Sequence, residues 1–148
     1  MNILVCDDDQ AIVDAIEIYL SQEGYTVLKA YDGLEAIRMV KEKEIQLVIL
    51  DIMMPRMDGI RATMKIREIS AVPIIFLSAK SEDVDKILGL NVGADDYITK
   101  PFNPLELNAR VKSVLRRYTQ LGAIAEKKDT VFQIGGLRVD DDRKEVMV

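Results

Sequence analysis

Acidic, hydroxyl and lysine side chains stand where short strand-like segments of this 148-residue sequence end. Asp7 and Asp8 follow the apolar run ILVC, Asp51 follows LVIL, Ser78 follows IIFL, and Lys100 follows DYIT. A carboxylate can attack phosphorus, and clustered carboxylates can share a divalent cation such as Mg²⁺. A lysine can neutralise phosphoryl oxygens, and a hydroxyl can donate to them. These residue types therefore suit metal-assisted phosphoryl transfer to Asp51, provided that the fold brings them together.

Each of these residues also has a simpler interpretation. A run of acids is usually a solvated turn or a helix cap, and Asp9 is expected to cap the first helix. An aspartate before a Met-Pro turn is usually a turn residue. A single Lys-Pro or Ser-Ala pair carries little information. The functional interpretation is favoured because such residues occur together, at four different predicted strand ends.

Apolar runs alternate with helical patterns along most of the chain. The predicted strands are Ile3–Cys6, Thr26–Ala30, Leu47–Leu50, Val72–Leu77 and Asp96–Thr99. The predicted helices are Ala11–Ser21, Asp32–Lys43, Asp58–Ile69, Glu82–Asn91 and Pro104–Tyr118. This alternation predicts an α/β protein with a doubly wound parallel sheet that is covered by helices on both faces. Ligand sites of such sheets lie at the carboxyl ends of the strands.

The composition excludes several classes of function. The net charge of −5 disfavours a basic nucleic-acid-binding module, and the N-terminus has no signal-peptide pattern. No apolar run approaches the length of a membrane span. The sequence contains no histidine, which removes Ser-His and Cys-His pairs and disfavours zinc sites. The single Cys6 is expected to be buried and inert, in a cytoplasmic protein.

The chain is expected to contain more than one domain. Residues 1–119 form the predicted α/β domain, and the weakly patterned residues 120–130 are interpreted as a linker. Residues 131–148 resemble the beginning of a set of strands, which could not bury a core alone. The chain is therefore expected to end inside a second domain.

The segments ILVCDDD, LVILDIMMPRMDG, VPIIFLSAK and GADDYITKPF resemble, in order and spacing, the motifs of bacterial response-regulator receiver domains. The resemblance implies a flavodoxin-like fold with strand order 2-1-3-4-5. It implies that Asp51 accepts a phosphoryl group from a sensor histidine kinase. It also implies that Mg²⁺ or Mn²⁺ is held by Asp8, Asp51, the backbone carbonyl of Met53 and, through water, Asp7. Lys100 falls on the lysine of the motif.

The same resemblance implies a switch. Ser78 falls on the switch hydroxyl, where related proteins commonly have threonine, and Tyr97 falls on the switch aromatic. The simpler interpretation of Tyr97 is a half-buried packing residue. The Lys100–Pro101 bond is expected to be a cis peptide.

The stretch GADDYITKPFNPLELNAR resembles the OmpR/PhoB class and, within it, VanR-like regulators, which dimerise on phosphorylation. The alternative is a solvated charged face, and Asn108 departs from the apolar residue often found there. The tail FQIGGLRVDDDRKEVMV resembles the start of a winged-helix domain, so promoter DNA would be bound by residues beyond it. The matching dimer-face residues are Lys86, Ile87, Leu90, Asp95, Asp96, Glu106, Arg110, Lys112 and Arg117.

Three other functions remain to be weighed. A phosphatase with an aspartate nucleophile is disfavoured because Met53 stands where such enzymes usually have a second acid. A flavin- or nucleotide-binding module is disfavoured because no glycine-rich loop follows the first strand. A stand-alone receiver is disfavoured by the linker and tail. The expected protein is thus a phosphorylation switch for transcription rather than a turnover enzyme.

Overall fold

The computed structural model describes residues 1–79 and 93–131, in which five strands and four helices are defined. The predicted helix Glu82–Asn91 lies outside the described residues. The elements in chain order are β1 (Asn2–Cys6), α1 (Gln10–Gln22), β2 (Thr26–Ala30), α2 (Gly33–Glu42), β3 (Leu47–Asp51), α3 (Gly59–Arg67), β4 (Ile74–Ala79), β5 (Asp96–Lys100) and α4 (Pro104–Val131).

All five strands pair in parallel, in the order β2-β1-β3-β4-β5. The predicted fold class and strand order are therefore confirmed. The register aligns Cys6 with Leu50, and Ala79 with Lys100. Because the strands run in the same direction, the residues that end them gather along one edge of the sheet.

The core consists of two apolar clusters, one on each face of the sheet. Successive strand residues point to opposite faces, so Val5 belongs to one cluster and Leu4 to the other. Helices α1 and α4 cover the first cluster through residues such as Ile16 and Val111. Helices α2 and α3 cover the second through residues such as Ile66. Burial on both sides explains why the strands are continuously apolar.

Three aspartates cap the helices that follow β1, β2 and β3. Asp9 accepts a hydrogen bond from the Ala11 amide, as the sequence predicted for the first helix. Asp32 caps α2 and Asp58 caps α3 in the same manner. Each cap satisfies an amide that has no partner inside the helix.

The element bounds differ from the sequence predictions at several ends. Strand β4 begins at Ile74 rather than Val72, because Pro73 has no amide hydrogen to contribute to the ladder. Strand β3 includes Asp51 itself. Helix α3 ends at Arg67 instead of Ile69. The Lys100–Pro101 bond is cis, as predicted.

The largest difference concerns the final helix, which was expected to end at Tyr118. Helix α4 continues to Val131, so residues 120–130, which were predicted to be a linker, are helical. Alanine, glutamate and lysine in this stretch are strong helix formers, and no proline interrupts it. Residues Met1–Leu115 form one compact unit, and the helical residues 116–131 belong to the next. Apart from Val131, the predicted start of a second domain at 131–148 lies outside the described residues. Among the described residues, no helix combines the length and apolarity needed to cross a bilayer.

Candidate functional site

Three carboxylates converge at the carboxyl edge of the sheet. Asp7 and Asp8 directly follow β1, and Asp51 is the last residue of β3. One carboxylate oxygen of each lies within 4.8 Å of the others. Asp7 and Asp51 are buried, whereas Asp8 is exposed. Residues more than forty positions apart in the sequence thus form one acidic cluster, because neighbouring parallel strands end side by side.

Lys100, the last residue of β5, places its ammonium group between two of these acids. Its Nζ lies 2.9 Å from Asp7 Oδ2 and 3.1 Å from Asp51 Oδ1. The contact with Asp51 is a hydrogen bond. The contact with Asp7 is an ion pair without hydrogen-bond geometry, since Asp7 Oδ2 has no hydrogen-bond partner in the described structure. Among the described residues, one cation therefore serves two buried carboxylates, and the cluster has an excess of negative charge.

Burial of the cluster, together with its charge, shifts the pKa values of its members. Burial, followed by the charge of Asp7, raises the pKa of Asp51 to about 6, although Lys100 opposes the shift. Burial also raises the pKa of Asp7. Burial acts to lower the pKa of Lys100, but its contacts with Asp7 and Asp51 outweigh that effect and raise it. Ionised carboxylates are disfavoured here unless more positive charge arrives, so the donor set fits an oxygen-preferring divalent cation.

Ser78 contributes an unsatisfied hydroxyl to the same edge. It lies next to Leu77, which pairs with Asp51 in the β3–β4 register, and its side chain is 1% exposed. Its Oγ has no hydrogen-bond partner within the described part of the chain. A buried hydroxyl without a partner costs about 1–3 kcal/mol. Ser78 is therefore suited to donate to an oxygen atom that enters the site.

Met53 lies two residues beyond Asp51, in the loop of residues 52–58 that joins β3 to α3. Its side chain is exposed. The predicted contribution of its backbone carbonyl remains a prediction. Tyr97 is half-buried and packs against the cluster under α2 and α3, in register with Phe76. This placement agrees with its interpretation as a packing residue and leaves its switch role as a prediction.

Several predicted dimer-face residues make ion pairs within the chain. Arg110 Nη1 lies 2.9 Å from Asp96 Oδ1, and Arg110 Nε lies 3.2 Å from Glu106 Oε2. Lys112 pairs with Glu23 at the end of α1, at 2.8 Å. A dimer that used these charges would share or exchange their present partners. Lys86, Ile87 and Leu90 lie outside the described residues, and Arg117 is exposed on α4.

Asp95, also assigned to that face, takes part in a second charged cluster. Its Oδ2 accepts the Ile74 amide at 2.8 Å and lies 3.4 Å from Arg67 Nη2. Arg67 also donates to the carbonyls of Val72 and Gly93, at 2.6 and 2.8 Å. This Arg67 cluster joins the end of α3 to the starts of β4 and β5. Its main partners are backbone groups, which explains why no sequence motif indicated it.

The sequence also gave no indication that Arg56 contacts Asp32. The Arg56 guanidinium makes an ion pair with the Asp32 carboxylate. Arg56 has a φ of 65°, a left-handed backbone conformation that residues other than glycine adopt uncommonly. The capping pattern Asp-Gly-Leu-Glu at 32–35 indicated the helix start, but nothing in it indicated a partner in another loop.

The chain belongs to the response regulator receiver domain family, whose pattern matches residues 3–112. The predicted resemblance is thereby confirmed. The regulatory protein VanR of Enterococcus faecium is 48% identical over 139 residues, which cover 94% of this chain and 60% of that protein. The alkaline phosphatase synthesis transcriptional regulatory protein PhoP of Bacillus subtilis is 42% identical and covers 97% of this chain and 62% of its own length. These relatives are of the OmpR/PhoB type.

Solved structures support the assignment of this chain to the receiver domain family. The receiver domain of the Francisella response regulator 1452 superposes with a TM-score of 0.74 and 36% identity, over 79% of this chain and 98% of that one. The chain spans about 60% of the length of the curated relatives named above. The match therefore describes the receiver part of such regulators.

Proposed function

We propose that this chain is the phosphorylation-controlled receiver of a two-component transcription regulator, with Asp51 as phosphoacceptor and a sensor histidine kinase as donor. The observation that supports it best is the convergence of Asp7, Asp8 and Asp51 within 4.8 Å, with Lys100 between two of them, in a chain of the receiver family. None of the 148 residues is a histidine, so none of them can be the phosphohistidine donor.

The proposed reaction is a displacement at phosphorus. A carboxylate oxygen of Asp51 forms a bond to the phosphoryl group as the bond from phosphorus to the donor breaks. With phosphohistidine the leaving group is imidazole, and with acetyl phosphate it is acetate. The product is an acyl phosphate on Asp51. Although burial raises the pKa of Asp51 to about 6, the carboxylate is still mostly ionised, and hence nucleophilic, near neutral pH.

Lys100 and Ser78 are proposed to bind the oxygens of the phosphoryl group that is transferred to Asp51. The Lys100 ammonium, already hydrogen-bonded to Asp51 Oδ1, would neutralise a phosphoryl oxygen next to that atom. The unpartnered Ser78 hydroxyl would donate to another phosphoryl oxygen, which gives the buried group its missing hydrogen bond. That change at Ser78 would start the switch, with Tyr97 on the adjacent strand as the responding side chain.

The acidic cluster is proposed to hold Mg²⁺ or Mn²⁺ through Asp8, Asp51 and the Met53 carbonyl, with Asp7 acting through water. The proposal is supported by the clustered oxygens and by the raised pKa values of Asp7 and Asp51, which follow from burial and, for Asp51, from the neighbouring carboxylates. When bound, such a cation supplies neutralisation of phosphoryl charge. The protein's own groups position the nucleophile and exclude water from it.

The output is proposed to be dimerisation and promoter binding. The predicted dimer face includes Asp96, Glu106 and Arg110, and the DNA contacts would lie beyond the predicted winged-helix start at 131–148. The chain would act as a switch that carries one phosphoryl group, rather than as an enzyme that turns over substrate.

The direct test is to incubate the chain with acetyl phosphate and Mg²⁺, stop with EDTA, and weigh the intact protein. One labile phosphoryl adduct is expected, and Asp51→Asn should abolish it. Asp58→Asn is the matched control: it lies in the adjoining turn and keeps a good N-cap, so labelling should persist. Labelling of Asp51→Asn at the wild-type level would refute the assignment. Steady release of phosphate without an adduct would favour a phosphatase.

A further inference from the structure

The loop of residues 52–58 contains a strained turn at Arg56. The Met57 amide donates to the Pro55 carbonyl at 2.7 Å, which closes a three-residue turn around Arg56. The positive φ of 65° at its centre is uncommon in such turns and unfavourable for an arginine. A conformation of this kind persists only where surrounding contacts hold it in place.

The contact that holds Arg56 is the Asp32 carboxylate. One oxygen, Asp32 Oδ1, accepts the Glu35 amide at 2.9 Å and thereby caps α2. The other, Oδ2, pairs with the Arg56 guanidinium. The Asp32 side chain is 8% exposed although that of Arg56 is 68% exposed. The Glu35 hydrogen bond first, and then Arg56, hold the pKa of Asp32 below its ordinary value. A single carboxylate thus fixes both the helix start and the loop.

Two further contacts bring the start of α2 and the loop together. A Cβ at Gly33 would lie 2.7 Å from the Met57 carbonyl oxygen, so the two backbones approach closely. The Cys6 thiol lies 3.2 Å from the Asp32 carbonyl oxygen and 3.5 Å from Met54 Sδ. The segment that follows Asp51 is therefore held on both sides of the turn at Arg56: Met57 lies against Gly33 of α2, and Met54 contacts Cys6 of β1.

We propose that Asp32 and Arg56 are positioning residues for cation binding: their ion pair holds the loop of residues 52–58 in the conformation that presents its backbone to the acidic cluster. The inference rests on the proposed function, since Met53 lies in this loop between Asp51 and the turn. Without the pair, the strained turn relaxes, the loop samples other conformations, and only a fraction of molecules is ready to bind. Cation affinity falls, whereas the chemistry of the loaded site is unchanged.

The test is Mg²⁺ titration of the full chain by isothermal titration calorimetry, together with the rate of labelling by acetyl phosphate at saturating Mg²⁺. Arg56→Gln and Asp32→Asn should each raise the Mg²⁺ dissociation constant about 3- to 10-fold. This is less than the usual effect of replacing a side chain that hydrogen-bonds to a metal-ligating residue. The saturated rate should stay within about twofold of wild type. Asparagine still caps α2, so Asp32→Asn separates capping from pairing.

Two other substitutions distinguish pairing from backbone shape. Arg56→Gly relieves the strain but removes the guanidinium, so it should weaken binding as Arg56→Gln does. Arg56→Lys keeps a cation and should restore part of the affinity. Arg38→Gln is the control, because Arg38 has a similarly exposed side chain on α2 but pairs with Glu35 and Glu42. It should bind Mg²⁺ like wild type.

The outcomes separate this inference from the proposed function. If the wild-type chain fails to bind Mg²⁺ or to label, the proposed function is wrong. If wild type binds and labels but Arg56→Gly and Asp32→Asn bind equally well, the positioning role is wrong. Heat unfolding in EDTA shows whether each variant is folded, so that an affinity loss is read only from folded protein.

Discussion

The two ends of strand β4 lie near clusters of charged side chains that differ in their balance of charge. At the amino end, Arg67 faces one carboxylate among the described residues, that of Asp95, and it also donates to the Val72 and Gly93 carbonyls. At the carboxyl end, Lys100 faces both Asp7 and Asp51, and the Ser78 hydroxyl has no partner among the described residues. The first cluster is matched within the chain and serves stability. Among the described residues, the second holds more carboxylate charge than Lys100 balances, and this imbalance supports the proposal that it binds a cation and a phosphoryl group.

The largest expected effect on stability comes from disrupting the Arg67 cluster. Arg67→Met should lower the free energy of unfolding by about 3 kcal/mol, because it removes the cation that pairs with the half-buried Asp95 carboxylate and the donor to the Val72 and Gly93 carbonyls. Urea unfolding measures the change. Mg²⁺ affinity should be that of wild type, since the cluster lies at the other end of the strand. A loss of Mg²⁺ binding in folded Arg67→Met would contradict the conclusion that the Arg67 cluster and the acidic cluster have separate roles.

Replacement of aspartate by asparagine should have opposite effects on the free energy of unfolding in the two clusters. In EDTA at pH 8, Asp51→Asn should raise the free energy of unfolding by about 2 kcal/mol, because it removes a carboxylate whose ionisation is disfavoured in the folded state. Asp95→Asn should lower it by about 1 kcal/mol, because Arg67 loses its charged partner. Urea unfolding of both variants is the measurement. Changes of the same sign would contradict the distinction between the clusters.

The pH dependence of stability should be determined by the acidic cluster at the carboxyl edge of the sheet. The pKa values of Asp7 and Asp51 are raised in the folded state, so folding favours their protonated forms. Their contribution is fully present below the ordinary carboxyl range; that of Asp51 is lost as pH rises through about 6, and that of Asp7 is lost in the same direction. In EDTA, the free energy of unfolding should fall by about 1 kcal/mol or more between pH 5 and 8.

Two controls accompany the pH measurement. Saturating Mg²⁺ should flatten the decrease, because it stabilises the ionised carboxylates, and Asp51→Asn should flatten it without metal. A wild-type stability that rises with pH across this window in EDTA would show that the acids at the sheet edge are matched after all.

The smallest expected effect is at Ser78. Ser78→Ala removes a buried hydroxyl that has no hydrogen-bond partner among the described residues, so it should raise the free energy of unfolding by about 1 kcal/mol. Labelling of Asp51 should still occur, but the response at Tyr97, followed by tyrosine fluorescence on phosphorylation, should weaken. Destabilisation by several kcal/mol would mean that the hydroxyl has a partner in the unphosphorylated protein.

The alternating strands and helices and the acidic cluster at one sheet edge were predictable from side-chain type and from the periodicity of apolar residues, whereas the strand order was predicted from the family resemblance. Asp51 ends a fully apolar run, and parallel pairing alone carries it to Asp7 and Asp8. The contact between Asp32 and Arg56 was not predictable, because it needs the left-handed turn at Arg56, which no local pattern requires of an arginine.

The errors at element ends have similar causes. The apolar pattern of α4 weakens after Tyr118, yet the helix continues, because propensity favours helix where packing gives no pattern. Strand β4 starts late because Pro73 lacks an amide hydrogen, although Val72 extends the apolar run. Arg67 was missed because two of its partners are carbonyls, which every residue possesses.

Cys6 gives this protein a native reporter of events at the sheet edge. It is the single cysteine, it is fully buried beside the Asp32 carbonyl and Met54, and burial raises the pKa of its thiol. Disulfide reagents react with exposed thiolates, so Cys6 becomes reactive only when the surrounding segments separate. Timed thiol modification would therefore follow transient opening beside Asp7 in the unaltered sequence, without an added label.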